Sequence, residues 1–434
     1  MRFRHWVIGS VLILNLIRFV ATDRSPPGFY VDEAVGAAHA LCLGETGKDL
    51  FGNTLPLFSA GLGAGYYTAP YLFGEALWTR IFGVSTEAFR TFPAFVTCLT
   101  ILFLFLWVRK KRDEDTAWLA ALLASVSPWV FQFSRIAWDP PVSVLFIVLG
   151  LYCFEGLRWR FHWVAGALAF GMASMAYPGT RILTFPLILL LPGLEWKKKS
   201  YSTAILFAVL APVFWRSMVD PRFTARAEML VLWSGHPMSP LRDAEWWMIP
   251  WSAILNGLKH LSPEFLLTAG DHNLRHSTQF TGMMSPLEYI FLAGGLIALV
   301  SGMVRKAKKP ERDVLFLLAA ACLGILPSAL TWESVPHALR SIAAWPFFIV
   351  LAAMAGTGFS RRLPWIRPYF LFFSLGFAIY FGSAYFGSWT THSEPWFQTE
   401  SNTLGLAYGR LSSGATTCED IAEEIKIGPF RSLK

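Results

Sequence analysis

The sequence predicts an all-α protein that crosses a membrane many times, and its composition carries this prediction. Hydrophobic residues make up 54% of the 434 residues, and the mean hydropathy is +0.45. Charged residues are only 15% of the chain, against about 25% in soluble domains. The 19 Trp and 37 Phe residues fit the same class, because aromatic rings favour the membrane interface. So little polar surface cannot cover a soluble core, and a polytopic helical bundle is therefore expected.

About eleven apolar segments are candidates for membrane helices, which need about 20 mostly apolar residues each. They are residues 6–22, 94–108, 116–133, 142–157, 163–177, 182–194, 201–218, 286–304, 314–331, 342–359 and 370–386. The fifth and sixth could instead form one span kinked at Pro178 and Gly179. The first lacks a small-residue cleavage site and is therefore predicted to be a helix rather than a signal peptide.

Clusters of Lys and Arg fall in every second loop between these segments, at residues 109–112, 158–160, 197–199, 305–309 and 361–362. Basic residues favour the cytoplasmic side, so these loops and the N-terminus are predicted to be cytoplasmic. This distribution accounts for the net charge of +8. Nucleic-acid binding is not expected, because no basic face with interleaved aromatic residues is present.

The remaining loops, residues 23–93, 134–141, 178–181, 219–285 and 332–341, are then extracytoplasmic. We expect one membrane domain over residues 1–386 and a small outer tail over residues 387–434. The outer set contains Asp32, Glu33, Asp139, Arg181, Asp271, His272, Arg275, His276, His337 and Arg340. The first outer loop is predicted to carry helices along the membrane surface, over residues 33–45 and 72–82.

Asp32 and Glu33 form the most informative pair, in the run Phe29-Tyr30-Val31-Asp32-Glu33. Charged groups near a bilayer cost free energy and usually mark function. A structural alternative is that these acids cap the helix that follows. Asp139 lies in a second outer loop, so the three carboxylates could meet on one side of the membrane.

Several motifs in the outer loops resemble a known family when they are taken in order. They are residues 26–34, 46–49, 52–53, 55–57, 134–139, 177–181, 262–266, 270–276 and 336–340. The set resembles bacterial membrane glycosyltransferases of the GT-C class that use polyprenyl-phosphate sugars, related to protein O-mannosyltransferases and to the aminoarabinose transferase of lipid A. The resemblance extends from the N-terminus to about Gly356, and the tail matches nothing in it.

This resemblance implies an inverting transfer of a sugar from a polyprenyl-phosphate carrier to a glycan, lipid or protein acceptor at the outer face of the bacterial inner membrane. Asp32 would be the general base. Glu33 would position the acceptor or hold a cation, and Asp139 would orient the acceptor or share that cation. The carrier phosphate would bind to Arg340 and His337, with Arg181 and Arg135 as second choices.

No cofactor is certain from the sequence, and a divalent metal cation stays open. The metal could bind Asp32, Glu33 and Asp139 through oxygen ligands. His272 and His276, at helical i, i+4 spacing, are a second candidate pair, although a solvated loop face is the alternative. Cys42 and Cys418 could share the outer side, but nothing in the sequence pairs them, so no disulfide is predicted.

Two other functions remain open at this stage. A transporter or flippase of lipid-linked glycans would place charges in mid-membrane and show repeat symmetry, and neither is evident. A polymerase or ligase that uses a lipid diphosphate donor would share the basic, aromatic outer loops without needing the early acidic pair. The sequence has no GxSxG, HExxH or P-loop motif, so the corresponding hydrolases and ATP-driven enzymes are not expected.

Overall fold

The computed structural model describes residues 2–61, 65–157, 159–305, 310–398 and 403–427. The basic positions at Arg158 and at residues 306–309 lie outside the described residues. The helices are α1 Arg2–Leu16, α2 Val31–Thr46, α3 Ala69–Phe82, α4 Thr86–Lys111, α5 Glu114–Val126, α6 Pro128–Phe133, α7 Pro140–Gly156, α8 His162–Ala176, α9 Arg181–Leu190, α10 Trp196–Val219, α11 Arg222–Leu230, α12 Met248–Lys259, α13 Pro286–Val304, α14 Arg312–Ala329, α15 Trp345–Arg362, α16 Arg367–Ala384, α17 Thr390–Ser393, α18 Thr403–Ser412 and α19 Cys418–Ile427.

Short 3-10 and π segments extend several of these helices, at Ile17–Phe19, Pro178–Thr180, Glu264–Thr268, Ile342–Ala344, Pro364–Ile366, Tyr385–Trp389 and Glu394–Trp396. The strands β1 Phe58–Ala60 and β2 Tyr66–Thr68 pair antiparallel, with Ser59 opposite Tyr67. The predicted all-α class is confirmed, because this hairpin is the only sheet in the described parts of the chain.

A helix or helix pair lies at each of the eleven predicted apolar segments. By length and hydropathy, six of the described helical stretches could cross a membrane: Thr86–Lys111, Trp196–Val219, Pro286–Val304, Arg312–Ala329, Ile342–Arg362 and Pro364–Trp396. The helices at the other five segments are shorter. One reason is visible at α5, which ends where Ser127 turns to an extended ψ of 123° before Pro128, as expected of a residue that precedes proline.

The bundle core forms where α7 packs between α4 and α8, and where α15 packs against α5, α13 and α14. Small residues permit close packing of α7 on α8. A Cβ atom at Gly150 would overlap the ring of Phe170. These contacts hold the outer ends of several helices in fixed relative positions, and the candidate site is built on those ends.

One end of the bundle carries the predicted cytoplasmic charges, which form ion pairs with acids at neighbouring helix ends. The pairs include Arg4 with Glu114, Arg112 with Glu311, Lys111 with Asp313 and Arg361 with Asp113. They join the start of α1, the end of α4 and the end of α15 to the starts of α5 and α14. The acidic pair and its neighbours lie at the opposite helix ends, in agreement with the alternation predicted from the basic loops.

The helices predicted in the first outer loop are present as α2 and α3. Helix α2 is almost completely buried, because α3 and α18 pack against it. A disulfide joins Cys42 of α2 to Cys418 of α19, so the expectation of no disulfide was wrong. The two cysteines are 376 residues apart in sequence, and only the packing of residues 403–427 on α2 brings them together. The division of the chain at residue 386 stays a prediction, since the helical stretch Pro364–Trp396 runs through it.

Candidate active site

Asp32 lies in the first turn of α2 and is held by two tyrosines. The Tyr30 hydroxyl donates a hydrogen bond of 2.5 Å to Oδ2 of Asp32, and the Tyr67 hydroxyl donates one of 2.6 Å to its backbone carbonyl. Tyr30, not Asp32, occupies the N-cap position, so the capping alternative for Asp32 was wrong. The side chain of Asp32 is only partly buried, and one of its carboxylate oxygens accepts no hydrogen bond from the described residues.

Burial raises the pKa of Asp32 above its ordinary value. The hydrogen bond from Tyr30 and the positive charges of Arg226 and Arg275 oppose this rise. Arg275 also lies over the ring of Tyr30, with 4.0 Å between its guanidinium carbon and the ring centroid. A carboxylate with a raised pKa is a better proton acceptor at neutral pH than an ordinary aspartate.

Glu33 occupies the next position and has a different environment. Its carboxylate forms a two-pronged ion pair with Arg90 of α4, at 2.9 and 2.8 Å, and both side chains are completely buried. Glu33 also accepts hydrogen bonds from the backbone N–H groups of Ala137 and Tyr30. These contacts connect α2, α4 and the second outer loop, so they fit a positioning role better than contact with an acceptor.

Asp139 lies at the end of the second outer loop, immediately before α7. Burial raises the pKa of Asp139 to about 7, the charge of Asp32 contributes to the rise, and Arg181 opposes it. Asp32 and Asp139 are thus close enough to interact electrostatically, although they lie 107 positions apart in sequence and belong to different loops. Their convergence is the central feature of the site.

Arg135 holds this second loop in place and is not free to bind a phosphate. Its guanidinium donates to the carbonyls of Ile17, Arg18, Val20, Ala21 and Ser25. The side chain is completely buried, and its guanidinium lies 5.0 Å from the ring centroid of Phe386. The prediction of Arg135 as a second-choice phosphate ligand does not agree with these contacts, because backbone carbonyls already occupy both terminal nitrogens of the buried guanidinium.

A cavity of about 400 Å³ lies beside the two carboxylates. The start of α9, α11 and the outer end of α14 enclose it, and β2 closes one side. Its polar and aromatic lining includes Tyr66, Tyr177, Arg181, Phe223, Arg226, Trp233 and Arg340. The carboxylates are not part of the lining, but Arg226 interacts electrostatically with Asp32 and Arg181 with Asp139. The cavity therefore presents positive charge next to two acids.

The three cavity arginines differ in how much they are already used. Arg226, which sequence reasoning missed, is exposed, and none of the described residues accepts a hydrogen bond from it. Within the described residues, Arg181 donates only through Nε, to the carbonyl of Ser174. Arg340 pairs with Glu333 at 2.9 Å. Arg226 and Arg181 therefore have the most donors available toward the cavity. The sequence offered one signal for Arg226, because it lies four residues after Arg222, just beyond a predicted membrane segment.

The predicted histidines are arranged differently from the expectation. Residues 271–276 form turns rather than a helix, so His272 and His276 do not share a face, and His272 is exposed. His276 instead contacts Asp271, and His337 lies beside both. Burial and the nearby His276 and Arg340 charges lower the pKa of His337 well below its ordinary value. His337 also lies outside the cavity lining, so its role in binding the phosphate stays a prediction that these observations do not support.

The fold is that of the GT-C glycosyltransferases. Residues 69–215, from α3 to α10, match the family model described as dolichyl-phosphate-mannose-protein mannosyltransferase. This stretch includes Asp139 and Arg181. The match and the structural likenesses below confirm the resemblance read from the sequence motifs.

Two solved structures of this fold are similar to the protein. The ArnT protein of Cupriavidus metallidurans in the apo state is 13% identical, with a TM-score of 0.53, and the alignment covers 96% of this chain and 78% of that one. The apo oligosaccharyltransferase of Archaeoglobus fulgidus is 16% identical, with a TM-score of 0.50, and 90% of this chain is covered. The chain spans 56% of the length of that protein. No curated protein matches the chain by sequence.

Proposed function

We propose that the protein is a glycosyltransferase that moves a sugar from a polyprenyl-phosphate donor to an acceptor hydroxyl. The observation that carries the proposal is the meeting of Asp32 and Asp139 beside a cavity lined by Arg181, Arg226 and Arg340. The family match to dolichyl-phosphate-mannose-protein mannosyltransferases supports the same chemistry. A base and a phosphate site are the two parts that this reaction requires.

The reaction would be a single displacement. Asp32 accepts the proton of the acceptor hydroxyl while its oxygen bonds to the anomeric carbon of the sugar, on the face opposite the phosphate. The bond between that carbon and the phosphate oxygen breaks, which releases polyprenyl monophosphate and inverts the anomeric configuration. A positioned general base typically contributes a factor of about 10²–10⁴ to the rate. Asp139 would orient the acceptor or, with Asp32, share a divalent cation if one is used.

The leaving phosphate gains negative charge in the transition state, and fixed cations stabilise such charge. Arg226 and Arg181 have free donors toward the cavity and are our first assignments for this role. Arg340 is the third, because a phosphate would have to compete with Glu333 for its guanidinium. Guanidinium groups bind phosphate oxygens in pairs, which also fixes the orientation of the donor.

We place the site on the extracytoplasmic face of a cell membrane. The disulfide between Cys42 and Cys418 supports this side, because disulfides persist in oxidising compartments. The basic helix ends lie at the opposite end of the bundle, where the positive-inside rule puts the cytoplasm. For the acceptor, the hydroxyl group is the only feature that the chemistry specifies.

A polymerase or ligase of lipid-linked glycans is the nearest alternative, and product analysis separates it from the proposal. The purified protein would be incubated with a panel of radiolabelled polyprenyl-phosphate sugars and candidate acceptors. The proposal expects transfer of single sugars with release of polyprenyl monophosphate. Activity only with lipid diphosphate donors would favour the alternative.

The base assignment is tested by Asp32→Asn, with Asp243→Asn, an exposed acid of the same outer face, as the matched control. We expect Asp32→Asn to lower the transfer rate about 10²–10⁴-fold while the melting temperature and the control's activity stay near those of the unmodified protein. Full activity of Asp32→Asn would reject Asp32 as the base.

A further inference from the structure

Asp271, His276 and His337 meet in the outer part of the protein and do not line the cavity. All three side chains are buried, and one nitrogen of each histidine and one carboxylate oxygen lie within 4.8 Å of one another. Two separate outer segments contribute them, residues 271–276 and the turn that precedes α15. The proposed transfer reaction uses none of the three.

The spacing of the three ligand atoms is that of a small metal site. Nδ1 of His276 lies 3.0 Å from Oδ2 of Asp271, and Nδ1 of His337 lies 4.0 Å from the same oxygen. With zinc–ligand bonds of about 2.0–2.2 Å, ligand atoms at tetrahedral corners are about 3.3 Å apart. Two of the three separations bracket that value and the third, between the two histidine nitrogens, is within 4.8 Å, so side-chain rotations are needed to bring all three atoms into coordination distance.

The surroundings hold the ligands in orientations that suit a cation. Asp271 is fixed at both oxygens, since the N–H of Ala338 donates to Oδ2 at 2.7 Å and the N–H of Asn273 donates to Oδ1 at 2.8 Å. The N–H of Arg340 points at Nδ1 of His337 at 3.3 Å. That nitrogen therefore accepts with its lone pair instead of carrying a proton, and zinc would have to displace this long N–H contact to bind there. The hydrogen bonds to Asp271 are of the kind that orient ligands in metal sites.

We propose that Asp271, His276 and His337 bind a zinc ion. Two imidazole nitrogens and one carboxylate oxygen are a ligand set that zinc accepts, whereas magnesium and calcium favour oxygen ligands alone. The ion would replace the contact of 3.0 Å between Nδ1 of His276 and Oδ2 of Asp271. It would thereby cross-link residues 271–276 to the turn at His337. The proposal does not rest on the proposed transferase activity.

A bound ion would affect the candidate active site through the positions of two arginines. Arg275 precedes His276 and lies over the ring of Tyr30, which is hydrogen bonded to Asp32. Arg340 follows His337 by three residues and lines the cavity. An ion that joins the two segments would fix both arginines relative to the carboxylates, without contact to the substrate.

The experiment measures metal content and metal response on the full-length protein, purified in detergent with a tag that contains no histidine. After chelation and dialysis, zinc is added and the bound ion is counted by mass spectrometry. We expect one zinc ion per chain in the unmodified protein and in His272→Ala, the exposed neighbour that serves as matched control. We expect loss of the ion in His276→Ala and in His337→Ala.

A second measurement needs no variant. Cobalt added to the chelated, unmodified protein should give the intense visible bands of a tetrahedral site, saturating at one equivalent, and zinc should abolish them. The melting temperature of the chelated protein should rise when zinc is added. The proposal is overturned if the unmodified protein takes up no zinc and gives no cobalt spectrum, or if His276→Ala and His337→Ala keep the ion, whatever His272→Ala does. The first result would mean that the cluster is a hydrogen-bonded pair with a neighbouring histidine.

Discussion

Glu33 is predicted to position the site through Arg90 without touching the substrate, and the variant Arg90→Met tests this role. Arg90 donates five hydrogen bonds, two to Glu33 and three to the carbonyls of Thr22, Pro26 and Gly28. Both members of the ion pair have no exposed surface. Removal of one partner leaves a buried, uncompensated charge, which costs about 3–5 kcal/mol.

The double variant Glu33→Gln with Arg90→Met supplies the control. It removes the stranded charge, so it should be more stable than Arg90→Met alone, with a coupling free energy of about 0.5–3 kcal/mol between the two sites. Unfolding can be followed by tryptophan fluorescence during titration with a denaturing detergent. If the losses in the free energy of unfolding caused by the two substitutions simply add in the double variant, the two side chains are not coupled.

The transfer activity of the double variant distinguishes a positioning role of Glu33 from a catalytic one. The folded fraction of the double variant should transfer sugar at a rate well above that of Asp32→Asn, since Glu33 is completely buried and both of its oxygens already accept hydrogen bonds from Arg90, Ala137 and Tyr30. A double variant that is folded yet as inactive as Asp32→Asn would place Glu33 in the reaction and refute the reasoning.

Three further results are expected. Because Asp139 has a pKa near 7 and faces Asp32 and Arg181, it loses its negative charge as the pH falls through 7, so the transfer rate should fall on the acid side and Asp139→Asn should flatten that limb of the pH profile. Arg226→Ala should raise the KM for the donor severalfold, whereas substitution of the exposed Arg242 by Ala should not. If Arg226→Ala has the same KM as the unmodified protein, Arg226 does not bind the phosphate. Cys42→Ser should lower the free energy of unfolding by about 2–4 kcal/mol, and a reducing agent should destabilise the unmodified protein but leave the variant unchanged.

The positions of the membrane helices could be predicted because each depends on local hydropathy. The apolar segments and the alternating basic loops needed only residues that are neighbours in sequence, and both agree with the structure. The length of each helix was harder to predict, since breaks such as the one at Pro128 shorten the regular segment without changing its hydropathy.

The partners of buried charges could not be predicted in the same way. Arg90 lies 57 positions from Glu33, and nothing local marks it as the counter-ion. Arg135 belongs to a motif that suggests phosphate binding, yet its terminal nitrogens donate to carbonyls more than 100 residues away. Such pairs depend on which helix ends meet, which is a property of the assembled bundle.

The histidine pair shows how an assumed local structure can mislead. The i, i+4 argument for His272 and His276 holds only on a helix. Gly270 has a φ of +76°, and Asp271 and Asn273 accept hydrogen bonds from backbone N–H groups two residues ahead, so the segment turns. The turn sends His276 toward Asp271 and leaves His272 in solvent.

The packing of α18 and α19 on α2 has a consequence for biogenesis. Helix α2, which carries Asp32, shares a small apolar core with Ala407 and Ile421 and is bonded to Cys418. During synthesis these partners emerge more than 350 residues after α2, when the intervening membrane helices have already been made. Part of the surface of α2 therefore stays uncovered until these late partners have been made, so a ribosome stalled before Ala407 would leave an inserted bundle whose acidic helix still lacks part of its core.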